Sequence, residues 1–278
     1  GMPIAYWVNE KVTGIYNKSV FLGNVAEPKQ GIATANNERF LRLWHEVEYN
    51  NCFFDCDNAE QSGDSDKKWY PYNKGGEFRK WYGNNDYVID WHRNGQELRR
   101  YKGAVLRNPS YYFKKCISWS LVTSGSISFR YKPKGHLFDV AGMCCFINED
   151  YFNYLLALNN SCIVRFVLSA IAPTINYQVG NIANIPIIFD EVYTEKVNNI
   201  VQQNILISQR DWDSFENSWD YKKHPLVAFK TLGTERQVLS ISLCYEAWKS
   251  FTHEQFAKLK VNEEELNRIF IDIYGLQD

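Results

Sequence analysis

The chain has 278 residues, 45% of them apolar and 16% aromatic, and its 31 basic and 32 acidic residues leave a net charge of −1. That apolar content excludes a disordered chain and suffices for one large domain or two small ones. No stretch joins a charged start to an apolar centre and a small-residue cleavage site, and no window nears 18 uninterrupted apolar residues, so a soluble, cytoplasmic protein without a membrane partner is expected.

An apolar segment at residues 4–8 reads as a strand. The polar run Gln30-Gly-Ile-Ala-Thr-Ala-Asn-Asn-Glu-Arg39 reads as a loop before a second apolar segment at residues 40–44. Residues 55–68, rich in Asp, Asn, Ser and Gly, read as an exposed loop or hairpin end. Residues 67–136 then carry fifteen Lys and Arg against four Asp and Glu, a net +11 that the rest of the chain offsets. Trp69, Tyr70, Trp81, Tyr82, Trp91, Tyr101, Tyr111, Tyr112 and Trp119 are interleaved with these charges. Such a segment is either a nucleic-acid surface, with cations on phosphates and rings on bases, or a solvated face whose aromatics are core.

Within it, period two puts Ile127, Phe129 and Tyr131 on one strand face and Ser126, Ser128, Arg130 and Lys132 on the other, which predicts one apolar and one basic face. Ile117, Trp119 and Leu121 alternate likewise, so the two pieces are expected to pair as a hairpin. Helical spacing follows from Glu149 to Ile171, with a cap at Asn148, a break at residues 159–161 and a stop at Pro173. Residues 174–187 read as a strand or loop. From Asp190 onward the stripes Tyr193, Val197, Ile200, Val201 and Leu266, Ile269, Phe270, Ile273 predict core-facing helices, with Asn262 and Glu265 as a capping box and Gly275 as a stop.

Catalytic motifs are scarce. Neither G-x-G-x-x-G nor G-x-x-x-x-G-K-[ST] occurs, the five histidines are widely spaced, and no G-x-S-x-G or Asp/Glu-x-Lys nuclease constellation stands out. Seven cysteines in a chain without a secretory signal predict free thiols. Cys52 and Cys56 lack the second ligand pair of a zinc site. Asn108-Pro-Ser-Tyr111 approximates the Asn-Pro-Pro-Tyr element of amino-methyltransferases, but it lacks the second proline and an upstream glycine turn.

Longer stretches carry a resemblance. Pro3-Ile-Ala-Tyr-Trp7, Gln30-Gly-Ile-Ala-Thr-Ala-Asn-Asn-Glu-Arg-Phe-Leu-Arg-Leu-Trp44, Tyr72-Asn-Lys-Gly-Gly-Glu-Phe-Arg-Lys-Trp-Tyr-Gly83, Phe138-Asp-Val-Ala-Gly142 and Pro173-Thr-Ile-Asn-Tyr-Gln-Val-Gly-Asn-Ile-Ala-Asn-Ile-Pro186 resemble the region downstream of the catalytic domain in BREX-type and related type II adenine-specific DNA methyltransferases. The chain also resembles the plan of type I restriction specificity subunits, a recognition domain followed by helices.

The resemblance implies an α+β fold, with a β-rich target-recognition domain over residues 1–189 and a mostly helical region over residues 190–278. It implies an excised or truncated recognition region, Gly1 being left from a tag, that is not an enzyme on its own. S-adenosylmethionine would serve a catalytic domain outside this chain, and no cofactor is expected here. The implied role is sequence-specific recognition of duplex DNA for adenine-N6 methylation in phage defence; the alternative is a protein-interaction module docking other subunits of a defence complex. The implied partners are duplex DNA, the catalytic domain of the same parent and other defence subunits. Base edges need Asn, Gln, Arg or Lys, and phosphates need cations. The expected DNA-binding residues are therefore Gln30, Thr34, Asn36, Asn37 and Arg39 in the polar loop, and Lys74, Arg79, Arg99, Arg100, Arg107, Ser124, Arg130 and Lys132 in the basic segment. Asn36 and Asn37 also suit a cap, and Gly75-Gly76 a tight turn; Arg130 and Lys132 suit phosphate.

Overall fold

The computed structural model describes residues 10–172, 174–230 and 240–277; the strand expected at residues 4–8, the motif at residues 3–7 and the stop at Pro173 lie outside the described residues. In chain order, α1 (Glu10–Lys18) leads through β1 (Val20–Phe21) and α2 (Leu22–Val25) to β2 (Ala26–Lys29). The polar loop ends in α3 (Asn37–Phe40), and β3 (Leu41–Leu43) follows. Residues 55–68 are not wholly loop: they hold α4 (Ala59–Asp64), because Asn58 caps the turn by accepting the Gln61 N–H. Next come β4 (Trp69–Asn73), β5 (Tyr87–Asp90), α5 (His92–Arg100), β6 (Cys116–Ser120), β7 (Arg130–Lys132), β8 (Leu137–Phe138) and β9 (Gly142–Ile147). The remainder is α6 (Glu149–Asn160), α7 (Cys162–Ile171), α8 (Val179–Ala183), β10 (Pro186–Ile187), α9 (Glu191–Trp212), α10 (Pro225–Lys230) and α11 (Ile241–Tyr274).

The α+β class holds. Two four-stranded sheets, β2-β9-β6-β7 and β3-β5-β4-β8, stand beside the small β1-β10 pair. The expected hairpin is β6 with β7, in register Cys116↔Lys132, Ile117↔Tyr131, Ser118↔Arg130. The first large sheet is covered on both faces. Ile117, Trp119, Met143 and Cys145 pack with the buried residues of α6, α7, α9 and α11, while Cys116, Cys144 and Phe146 pack with Tyr70, Tyr72, Ile89 and Phe138 of the second sheet. The result is a layer of helices, then sheet, then sheet.

This layering overturns the expectation of an open basic strand face. The side of β6 and β7 that carries serine, arginine and lysine faces inward, where Asn73 accepts from Ser118 (3.3 Å) and donates to the Gly142 carbonyl (2.9 Å), and Ser120 donates to the Gly76 carbonyl (2.8 Å). Period two identifies two faces, but it does not say which of them meets water.

The helices follow the sequence pattern more closely. Asn148 caps α6, Ser161 separates α6 from α7, and Gly275 ends α11 in the left-handed conformation. Val197, Ile200, Val201, Leu266, Ile269 and Phe270 are buried together with Leu22, Trp119 and Phe152, so the division drawn at residues 189 and 190 crosses one continuous core. Asn262 caps nothing. It is buried inside α11, which Ser240 caps, and it donates to Asn204 Oδ1 of α9 (2.8 Å). No single helix among the described residues is long and apolar enough to cross a membrane.

His136, just before β8, is buried beside Trp219. Burial, then the nearby Lys132 charge, lowers its pKa to about 3. The unfolded chain takes up a proton near pH 6.5 while the folded chain does not, so stability falls with pH below 6.5 by about 1.4 kcal/mol per unit until the folded pKa is reached. Urea unfolding of the native chain and of His136→Phe at pH 6.5 and pH 5 is expected to show about 2 kcal/mol of this loss in the native chain alone.

Candidate nucleic-acid interface

The basic segment is partly neutralised by the fold itself. Lys68, Lys74, Arg79, Lys80, Lys115 and Lys134 pair with Asp90, Asp139, Asp211, Glu263, Glu149 and Asp57. Arg130 and Lys132 are 0% exposed. Seven of the fifteen cations remain, and five of them, Arg93, Arg99, Arg100, Lys102 and Arg107, fall within fifteen residues of chain. None of these five forms an ion pair with any described residue. Seven of the nine interleaved aromatics do not face outward; Tyr101 and Tyr111 are half-buried. Trp69, Tyr70, Trp81, Tyr82, Trp91, Tyr112 and Trp119 are buried, which corrects the base-stacking reading in favour of core.

The polar loop and this residual charge, about sixty residues apart in sequence, form one edge. Gly31 starts the loop against the second sheet, where a Cβ on it would lie 1.9 Å from the Phe138 carbonyl oxygen. Ile32 N–H bonds that same oxygen (2.7 Å), and Ala33 exchanges both backbone hydrogen bonds with Val105 (2.9 and 2.8 Å). Asn108 donates to the Gln30 carbonyl (2.8 Å), Asn36 to the Tyr101 hydroxyl (3.1 Å), and Arg39 to Glu97 of α5 (3.3 Å). Gly31→Ala is therefore expected to destabilise the chain by about 3 kcal/mol in urea unfolding, because backbone, not a flexible side chain, occupies the space a methyl needs.

At the start of the loop, buried Asp139 accepts from Tyr72 (2.8 Å) and from Lys74 (3.4 Å). At its far end Arg99 donates through Nε to the Asn94 carbonyl (2.8 Å) and lies over Trp91. Arg107 keeps Nη1 inside the surface with no partner among the described residues.

The sequence-derived residues divide accordingly. Gln30, Asn37, Arg39, Lys74, Arg99, Arg100 and Arg107 lie along this edge. Thr34 does not reach outward: it is buried and its hydroxyl donates to Asn37 Oδ1 (2.6 Å). Asn36 caps α3, with Oδ1 accepting the Arg39 N–H (3.0 Å), and its Nδ2 donates to the Tyr101 hydroxyl, so the cap expected of it is present. Arg79 belongs to another surface, paired to Asp211 and lying over Trp212 of α9. Ser124 is exposed in the turn after β6, beside Thr123, whose N–H bonds the Ile175 carbonyl (3.1 Å).

Arg130 and Lys132 are the clearest correction. Arg130 donates to the Arg79 carbonyl, Ser128 and Ser120 (3.2, 3.3 and 3.2 Å). Lys132 donates to the carbonyls of Gly83 and Asn84 (2.9 Å each) and to Asn85 Oδ1. Burial, with Arg130 adjacent, pulls the lysine pKa down to about 7. Neither cation has surface to offer a phosphate. The sequence reading did not select Arg93 and Lys102, although both stand in the same charge run. Cys52 and Cys56 are buried thiols on the carbonyls of Glu48 (3.6 Å) and Asn58 (3.3 Å), and no three His, Cys, Asp or Glu among the described residues converge on a metal position.

No protein-family model matches the chain. It is similar over its full length to an adenine-specific methyltransferase, PglX, of Lacticaseibacillus casei (strain Zhang), 37% identical over 287 residues and covering 23% of that protein. It is likewise similar to an adenine-specific methyltransferase, BrxX, of Escherichia coli O9:H4 (strain HS), 34% identical over 281 residues and covering 22% of that protein. The chain thus matches a partial region of these methyltransferases and spans under a quarter of their length.

Proposed function

We propose that this chain is the sequence-specific duplex-DNA recognition region of an adenine-N6 DNA methyltransferase acting in phage defence. The observation that carries the reading is the junction of the polar loop with a run of five cations that form no ion pair with any described residue. Phosphates would be held by Arg99, Arg100, Lys102 and Arg107, and base edges would be met by Gln30, Asn37 and Arg39. Methyl transfer is assigned to the parent polypeptide. The described residues do not fit S-adenosylmethionine: both large sheets are antiparallel apart from the β4–β8 pair, and no strand leads through a glycine-rich turn into a helix.

The test is binding of labelled duplex DNA by anisotropy. Four phosphate contacts give a log–log salt slope of about −3.6, so affinity is expected to fall about 150-fold between about 50 and about 200 mM salt. A flat salt response, or no binding at about 50 mM, would remove the reading.

A second reading, a module that docks other parts of a defence complex, is favoured by one feature. A groove of about 560 Å³ between residues 78–81, α9 and α11 is lined by Phe78, Trp248, Phe251, Phe256 and Leu259, with Phe78 and Phe256 exposed. Co-purification with a partner in the absence of DNA binding would support it over the first.

A further inference from the structure

Left-handed backbone is unevenly distributed in this fold. Among the described residues seven that are not glycine have positive φ, and four of them, Ala35, Arg93, Asn94 and Asn108, belong to the edge formed by the polar loop and residues 93–108. Two are consecutive with Gly95: Arg93 (φ 49°, ψ 54°), Asn94 (57°, 38°) and Gly95 (69°, 35°) make a single left-handed turn at the start of α5. Such a turn is unfavourable for any residue with a Cβ, less so for asparagine, and without penalty only for glycine.

Two of the three residues have evident structural reasons to be there. Gly95 lies under the Trp91 ring, where a Cβ would meet ring carbons at 2.7 Å, and its N–H bonds the Trp91 carbonyl (2.9 Å). Asn94 closes on Gly63 of α4, and its carbonyl accepts from Arg99 Nε (2.8 Å). Arg93 has no such reason. Its side chain is exposed and makes no hydrogen bond, ion pair or ring contact with any described residue. The fold needs a left-handed residue at this position and gains nothing from the guanidinium it carries. Backbone strain that a side chain does not repay within the fold marks a site where the side chain acts on something else.

We propose that Arg93 is a specificity-determining residue, projected from the left-handed turn to read a guanine edge of duplex DNA beside the phosphate contacts of Arg99 and Arg107. A guanidinium matches guanine O6 and N7 with two parallel hydrogen bonds, and a side chain with no internal partner breaks none in doing so. Arg100 and Lys102, which stand on ordinary backbone around the end of α5, keep the role of charge. The inference rests on the DNA-recognition reading above.

The test is enrichment of bound sequences from a pool of random duplexes by the native chain, Arg93→Gly and Arg93→Lys, with thermal unfolding of each. Arg93→Gly removes the side chain and suits the backbone, so its Tm is expected to stay level or rise by up to about 3 °C. The native chain is expected to select a motif, and both variants to lose tenfold or more of the discrimination at one guanine position while the other positions persist, on the order of what one bidentate pair supplies. Arg93→Lys separates the two roles, because it keeps the charge but not the fork. A native motif that both variants reproduce at every position overturns the assignment of Arg93 and leaves the recognition reading standing. A native chain that enriches no sequence overturns both.

Discussion

Replacing Lys132 with methionine is expected to lower the stability of the chain by about 3–5 kcal/mol, the usual consequence of withdrawing one partner from a buried charged network. Three oxygens, from Gly83, Asn84 and Asn85, converge on the ammonium, which has three N–H groups to give them; a neutral amine has two and a methionine none. The substitution keeps most of the side-chain volume, so the loss measures three acceptors stranded in the interior rather than a cavity. A domain of this kind has about 5–15 kcal/mol in total, which puts the variant near the limit of folding. Urea unfolding followed by circular dichroism reads the effect. A variant within 1 kcal/mol of the native chain that binds duplex DNA more weakly would instead put Lys132 on the DNA surface, where the sequence pattern first placed it.

The pattern failed at Lys132 and Arg130 for a physical reason. Alternation of polar and apolar side chains is a local property of one strand, whereas the medium that each face meets is decided by elements far away in the chain. Here the second sheet and residues 73–85 cover the polar side and supply acceptors for it. Asn73, Asn84 and Asn85 are buried with them, so the interior between the sheets is built as a hydrogen-bonded layer. No periodicity in residues 126–132 alone carries that information.

Helix ends and stripes were legible because their causes are local. Asn148, Ser161 and Gly275 act within one turn of where they stand, and Val197, Ile200, Val201, Leu266, Ile269 and Phe270 bury the face that their spacing defines. The length of α11 was harder to read. Asn262 suits a cap, but packing against Asn204 satisfies its amide inside the helix, and the helix continues through it. The candidate interface was legible in outline, as a polar loop and a charge run. What the sequence could not show was which cations the fold neutralises, since Asp211 and Glu263 lie more than 130 residues from the Arg79 and Lys80 they meet.

That distinction gives the second large expected effect. In the double variant Arg99→Ala, Arg107→Ala, two cations leave the edge, and duplex affinity is expected to fall about fiftyfold at about 0.1 M salt, with the salt slope reduced by about 2. The loss is expected on every duplex sequence alike, because contacts to phosphate position the duplex without reading it. The matched control is Arg79→Ala, Lys80→Ala. It removes the same charge from the same basic segment, but from side chains already paired with Asp211 and Glu263 on the helices. The control is expected to lower stability modestly, by about 1 kcal/mol, since both pairs are partly exposed, and to leave the salt slope unchanged. Equal losses of affinity in the two double variants would mean that the segment acts through its summed charge and not through a built edge. A selective loss in the first would locate the phosphate contacts at residues 99 and 107, whose side chains form no ion pair with any described residue.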